Sequence, residues 1–385
     1  MPTKKTYKSK NENEFSGELK MIAKGISRHI NLGAVFLSTV AVVVAVVWVA
    51  DEVQGRSTLA VVNSQSNISH DGDDRVRLVP DNLFGVDFVD TQFGWAAGYY
   101  GTILKTIDGG KNWTHIPLPN TDLIRRIQFL DKDHGWLVTH RGRIMSSDNG
   151  GSTWETRYLD DNQINLRNIK FFNADIGWAV GHEGTILHTN DGGETWVNQH
   201  LSNFGGRDLP RLNGLAVLSE SQAMLVGEFG VIAETVDRGH TWKIISSPDF
   251  KATFTEIEQV GDSIFAVGLD GVVARVHSDG VDRLSVPEGE DPVRVELLNS
   301  GVDQHFFDIT ANENGEGIVV GLANILTIKN GNELNTIEID RPDRDYLYFM
   351  GAAPISGTKY FLVGAGGVAM TLDTATTQMM GSIKW

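Results

Sequence analysis

Beyond residue 82 the apolar positions of the chain come in short runs, each closed by Gly, Asp or Asn. Ile169-Lys-Phe-Phe172 and Thr185-Ile-Leu-His188 are typical, rich in branched and aromatic residues. Such runs predict short β-strands separated by tight turns. Self-comparison then finds a repeat. Seven segments match hydrophobic-x-x-Gly-x-x-Gly followed by apolar residues. They start at Trp95, Trp136, Trp178, Met224, Phe265, Ile318 and Phe361, and end at Gly101, Gly142, Gly184, Gly230, Gly271, Asn324 and Gly367. Thr139 replaces the first glycine of the second copy, and Asn324 the last glycine of the sixth. The end positions lie 41, 42, 46, 41, 53 and 43 residues apart. A period of ~40–45 residues with four short strands per unit is that of a propeller blade. Helical repeats of similar period are excluded by the glycine density, since each glycine costs a helix about 1 kcal/mol against alanine. The expected fold is all-β, a seven-bladed β-propeller of four-stranded blades.

The first four units carry a second motif. Thr106-x-Asp108-x-Gly110-x-x-Trp113 recurs as Ser147, Asn149, Gly151 and Trp154, as Thr189, Asp191, Gly193 and Trp196, and as Thr235, Asp237, Gly239 and Trp242. This is the Asp-box, or BNR repeat. Its Asp or Asn oxygen is suited to accept backbone N–H groups of a hairpin turn, and its hydroxyl adds a local bond. Its glycine supplies positive φ, and its Trp is suited to burial. In the fifth unit only Ser278 and Gly280 keep part of the box, and Arg283 stands where Trp is expected. Two segments compete to close the ring: Asp74-Arg-Val-Arg-Leu-Val79 and residues 378–385.

Ahead of the repeats the pattern changes. Residues 32–50 form an almost wholly apolar run, about 28 Å long as a helix and close to the ~30 Å hydrocarbon core of a bilayer. Seven basic and three acidic residues fall within residues 1–50, and Asp51 and Glu52 follow the run. By the positive-inside rule the N-terminus is then cytoplasmic. The expected organisation is a basic tail (1–29), a transmembrane helix (30–50), a tether (51–82) and the propeller (83–385), placed in the periplasm of a bacterial inner membrane. The run has no Gly-x-x-x-Gly pair to support pairing with a second copy.

The formal net charge of −16 is +4 over residues 1–50 and therefore −20 over the rest, which argues against nucleic-acid binding. The chain has no cysteine, so disulfides, thiolate metal sites and a cysteine nucleophile are excluded. No catalytic, cofactor or small-molecule substrate set emerges. His134, His140, His182 and His188 lack a metal-ligand spacing. Asp71-Gly-Asp73-Asp74 reads as solvated tether.

Phe93-Gly-Trp95, Ala97-Gly98, Gly101-Thr-Ile and Asp108-Gly-Gly-Lys-Asn-Trp113 in succession resemble the photosystem II stability and assembly factor family. The resemblance is clear over roughly residues 84–247. It implies a seven-bladed propeller that binds membrane proteins, with an arginine-rich surface echoed by Arg126, Arg141 and Arg167. Family members in photosynthetic organisms bind new reaction-centre proteins in or near the thylakoid lumen. Bacterial relatives are often encoded beside resistance-nodulation-division transporters. This chain departs from the cyanobacterial pattern by its apolar run and its lack of a lipid-anchor cysteine. The expectation is therefore an accessory subunit of an inner-membrane complex, foremost such a transporter. A transient assembly factor is the alternative.

Propeller topology sorts residues by face. Loops between second and third strands share a face with the links between blades, and Asp-box turns lie opposite. Arg125, Arg126, Arg141, Arg143, Arg167, Arg207 and Arg211 are expected to crowd the link face. Asp131, Asp133, Asp175, Asp191 and Asp237 are expected on the other. Arginine forks pair bidentately with carboxylates, so the link face is the expected dock for an acidic partner segment. Ion pairing within and between blades is the competing role. A sialidase-like hydrolase also carries Asp-boxes, but its Arg-Ile-Pro signature is missing, and Leu209-Pro-Arg-Leu212 does not supply it.

Overall fold

The computed structural model describes residues 82–382, apart from 119, 248, 278–293, 330, 332, 341 and 342. Seven four-stranded antiparallel sheets follow one another along the chain, each with its strands in sequence order. The inner strands are Leu83–Phe88, Ile124–Phe129, Leu166–Phe171, Leu212–Val217, Phe254–Val260, Phe306–Ala311 and Phe349–Ser356. This is the seven-bladed propeller that the repeat predicts. Each Gly-x-x-Gly segment forms the second strand of a blade and the turn that follows it. That strand is buried on both faces, as Gly94–Gly98 and Gly177–Gly181 illustrate. This is why the repeat reads as a continuous apolar run rather than an alternating one.

Seven hydrophobic clusters fill the seven gaps between neighbouring blades. The ring closes by packing rather than by a shared strand. Leu83, Val86 and Phe88 of blade one meet Ala353, Phe361 and Val363 of blade seven. Gln378–Ser382 is the outer strand of blade seven, which decides between the two closing candidates. The competing segment 74–79 lies outside the described residues. So do the basic tail, the apolar run, the tether up to residue 81, and Ser278, Gly280 and Arg283. Among the described residues no helix is long and apolar enough to cross a membrane.

The Asp-boxes build their turns as their chemistry requires. Thr106 Oγ1 donates to Asp108 Oδ1 (2.9 Å) and accepts from Gly110 N–H (2.9 Å). Asp108 Oδ1 also accepts from the N–H groups of Lys111 (3.1 Å) and Asn112 (2.9 Å). The Ser147, Thr189 and Thr235 hydroxyls accept equivalent bonds from Gly151, Gly193 and Gly239 (2.8, 2.9 and 2.7 Å). Trp154 and Trp242 are buried, and Trp113 and Trp196 half-buried.

Candidate functional site

Bonds join the loops between second and third strands to the links between blades. Gly184 N–H in blade three donates to Pro210 O in the link to blade four (2.8 Å), and Gly230 N–H donates to Ala252 O in the next link (2.7 Å). The seven singled-out arginines divide into three groups by what their guanidinium groups touch.

Arg126 leaves the group. A register shift at the start of its strand places it at the third position of the inner strand, facing the central channel. There it pairs with Glu256 of blade five and with Asp308 of blade six (3.1 Å). Asn168 Nδ2 joins by donating to both Glu256 oxygens (3.0 and 2.8 Å). Glu256 also accepts Leu215 N–H (3.1 Å), and Asp308 accepts Ala352 N–H (2.8 Å). The third positions of blades one, four and seven are Gly85, Gly214 and Gly351. There an added Cβ would meet the neighbouring inner strand, at 2.6 Å from Glu256 Cα in the case of Gly214. The ring is tight because these strands converge, and the polar residues fill it. Two residues further along, Lys170 pairs with Glu258 (3.0 Å), and Asp87 accepts Phe129 N–H (2.6 Å). These groups line a cavity of about 110 Å³. Burial pushes the Asp87 carboxyl up to about 6, against the pull of the Phe129 N–H and Lys170. The channel is thus crossed by a polar network, in which Arg126 Nε and Asn168 Oδ1 are left buried without a hydrogen-bond partner among the described residues. The docking role expected for Arg126 is corrected to a structural one: its Nη2 is held between two buried carboxylates inside the channel, and its side chain is only 16% exposed.

Arg141, Arg143 and Arg211 are paired at the surface. Arg141 and Arg143 share Asp122 (3.7 and 3.2 Å), and Arg211 holds Glu228 (3.3 Å). Arg141 and Arg211 each remain 59% exposed at the side chain, so their pairs are weakly committed.

Arg125, Arg167 and Arg207 have no carboxylate within ion-pair distance among the described residues. Arg207 is exposed in a link. Arg125 and Arg167 occupy the same second position of adjacent inner strands, at the mouth of the channel. Arg125 lies over the Phe84 ring, 5.3 Å from its centroid. Burial, then Arg125, Arg126 and Arg211, lower the Arg167 guanidinium to about 10. It remains charged at neutral pH, and Glu228 partly offsets the neighbouring arginines. His182 on the same face is lowered to about 4 by burial and by Arg167, Arg211 and Arg125. It is therefore neutral at pH 7.

The other histidines serve local roles. His140 Nδ1 accepts Leu123 N–H (3.0 Å), His134 Nδ1 lies 2.9 Å from Asp131, and His188 packs on Trp178. Among the described residues no group of three possible metal ligands forms. Asp131, Asp191 and Asp237 of the opposite face are occupied by their own turns. Asp131 takes the N–H groups of His134 and Asp133, and the His134 bond foremost holds it down at about 2.

Two features of the site escape the sequence reading. One is the polar column Arg126, Asn168, Glu256 and Asp308. Aligning the units on their inner strands, rather than on the glycines of the second strands, brings it into register. The other is the aromatic content of the link face, where Tyr99, Tyr100, Phe229, Tyr346 and Tyr348 are all exposed.

Fold and site define a class: a seven-bladed propeller with a polar network across its channel and an arginine-lined link face. More particularly, the family model for Photosynthesis system II assembly factor YCF48 matches residues 111–245. All seven arginines fall inside that stretch. No curated protein matches the chain. Among solved structures, the chain is similar to YCF48 bound to a D1 peptide (18% identity, TM-score 0.57, covering 75% of this chain and 90% of that one). It is also similar to YCF48 from Cyanidioschyzon merolae (15%, 0.59, 76% and 96%). A virginiamycin B lyase from Staphylococcus aureus is comparably similar (14%, 0.61, 76% and 94%). At these identities the likeness is one of fold, and it spans assembly factors and an enzyme alike.

Proposed function

We propose that the protein is a non-catalytic binding propeller that captures an acidic segment of a membrane-protein partner on its link face, as an assembly or stability factor. The observation that carries this reading is the pair Arg125 and Arg167. Two neighbouring guanidinium groups at the channel mouth, with no carboxylate in ion-pair distance among the described residues and Glu228 acting on Arg167 only at longer range, gain when an external carboxylate arrives. The family match over the arginine-bearing stretch supports it, as does a fold neighbour bound to a D1 peptide. The channel argues against catalysis at the centre, because Glu256, Asp308 and Glu258 are bonded to Arg126, Asn168 and Lys170. The second reading is a stable accessory subunit of an inner-membrane complex, such as a resistance-nodulation-division transporter. It is favoured by the apolar run 32–50, which would hold the propeller beside one membrane partner and raise its effective concentration there.

The test is a mild-detergent pull-down of the full chain from its native membrane, read by mass spectrometry. Arg125→Glu, Arg167→Glu and Arg211→Glu are combined in a parallel sample. Capture of immature membrane proteins by the wild type, lost in the variant, is the expected result. One complex at constant ratio supports the accessory subunit. Capture unchanged by charge reversal removes the arginine face from the mechanism.

A further inference from the structure

The turn between second and third strands carries a left-handed residue in most blades. Glu183, Asp270, Ala323 and Gly366 hold this place with φ of 54°, 58°, 56° and 64°. These residues are small or polar. Blades one and four depart from them. There the left-handed position is taken by Tyr100 (φ 54°) and Phe229 (φ 59°). Left-handed backbone is unfavourable for bulky side chains, which makes them unusual occupants of such a turn. Neither ring is rewarded by burial, since Tyr100 is 71% and Phe229 55% exposed. Strained residues whose rings stay this exposed point to a role outside the fold.

Their placement supplies that role. Arg125 belongs to blade two, Arg167 to blade three and Arg211 to blade four. Tyr100 in blade one and Phe229 in blade four therefore stand at the two ends of the arginine arc. On the blade-one side the array is continuous. Tyr100 meets Tyr99 (5.9 Å between centroids), Tyr99 meets Phe84 edge-on (5.2 Å), and Phe84 lies under Arg125. On the blade-four side, Phe229 follows Glu228, the partner of Arg211.

We infer that the link face recognises a linear segment in which carboxylates are bracketed by large apolar side chains, the acids meeting Arg125 and Arg167 and the apolar ends packing on Tyr100 and Phe229. This rests on the acidic-segment reading above and specifies its ligand. Charge fixes the centre of the segment, and apolar contact at both ends sets its register. Exposed aromatic rings are effective anchors because they lose little side-chain entropy on binding. A partner bearing acids alone would leave both rings in water.

The experiment uses the full chain in mild detergent and fluorescein-labelled synthetic peptides, read by anisotropy. One peptide has a core of glutamates in a Gly/Ser background. The second adds a leucine at each end of that core. The protein is compared with the double variant Tyr100→Asn and Phe229→Asn. Asparagine tolerates left-handed backbone, so the variant retains the turns. Micelle partitioning of the peptides is common to both proteins and cancels. The expected result is about tenfold tighter binding of the bracketed peptide by the wild type, equivalent to ~1.4 kcal/mol. The variant is expected to lose that advantage while binding the plain acidic peptide as before. Equal affinity of the wild type for both peptides overturns the bracket and leaves the arginine reading standing. Failure of both peptides to bind overturns both. An advantage that persists in the double variant also overturns the bracket.

Discussion

The indole Nε1–H of Trp95 donates to the carbonyl oxygen of Gly150, 3.0 Å away, from the second strand of blade one into the Asp-box turn of blade two. Trp136 repeats the bond to Gly192 O in the next blade, also at 3.0 Å. Each ring stacks on a phenylalanine of the neighbouring inner strand: Trp95 on Phe129 (3.6 Å) and Trp136 on Phe171 (3.8 Å). The Asp-boxes of blades two and three are thus more than local turns, because the carbonyl of the residue before the motif glycine is the acceptor that fastens each blade to the one before.

Trp95→Phe keeps the stacking and loses the bond. Lys105 Nζ also donates to Gly150 O (2.8 Å), so the carbonyl is not orphaned. The expected loss is about 1 kcal/mol. Trp95→Ala opens a cavity as well and is expected to cost ~3–5 kcal/mol. Urea denaturation of the two variants checks the difference. Equal losses would mean that the ring's area contributes nothing beyond its bond.

Arg126→Leu is expected to cost ~3 kcal/mol, because Glu256 and Asp308 lose their guanidinium in a buried setting. Combining it with Glu256→Gln and Asp308→Asn is expected to restore most of that loss, since the charges then vanish together. Partner capture per folded molecule stays unchanged in both. A capture defect in the stable triple variant would return Arg126 to the binding face.

Acid sensitivity follows from the Asp-boxes. Slight burial works against ionisation of Asp108, Asp191 and Asp237. The N–H and hydroxyl bonds of Asn112 and Thr106, of Thr195 and Thr189, and of Thr241 and Thr235 outweigh it and hold all three below the usual range. A depressed folded-state value stabilises above the unfolded value of about 3.9, and the gain is lost as pH falls through the folded value. Asp237→Asn keeps an accepting oxygen without titrating, as Asn149 does in blade two. It is expected to be slightly less stable than wild type at pH 7 and to close that gap as pH falls below the unfolded value of about 3.9. Thermal melts across this range decide it, and a gap independent of pH would rule out the titration.

Asp87 behaves in the opposite sense. Its folded value of about 6 lies above the unfolded one, so its contribution is fully present below about pH 3.9 and is lost as pH rises through 6. Asp87→Asn is expected to raise stability by about 1 kcal/mol at pH 7.5 and to have no effect at pH 4. Denaturant midpoints at the two pH values test this. A destabilised variant at pH 7.5 would mean that the ionised carboxylate is needed by Lys170.

Salt separates the two parts of the binding face. Capture through Arg125, Arg167 and Arg211 is expected to weaken several-fold between low and physiological ionic strength, as screening shortens to ~8 Å. An apolar contribution from Tyr100 and Phe229 is insensitive to this change. Pull-downs across a salt series, with and without the Tyr100→Asn and Phe229→Asn pair, measure each share.

The repeat, the blade count and the Asp-box turns were legible in the chain itself. Each depends on local chemistry repeated at a fixed period. Gly-x-x-Gly marks a doubly buried strand and its turn, and Thr-x-Asp-x-Gly closes a hairpin within a few residues. What only the tertiary structure decided is which of the singled-out arginines are free. Arg126 is 130 residues from Glu256 and 182 from Asp308, and no local pattern relates them. They meet because inner strands of different blades converge on one axis, where a one-residue register shift turns a side chain from the rim into the channel. The same convergence sets Arg125 beside Arg167, and Tyr100 and Phe229 at either end of their arc.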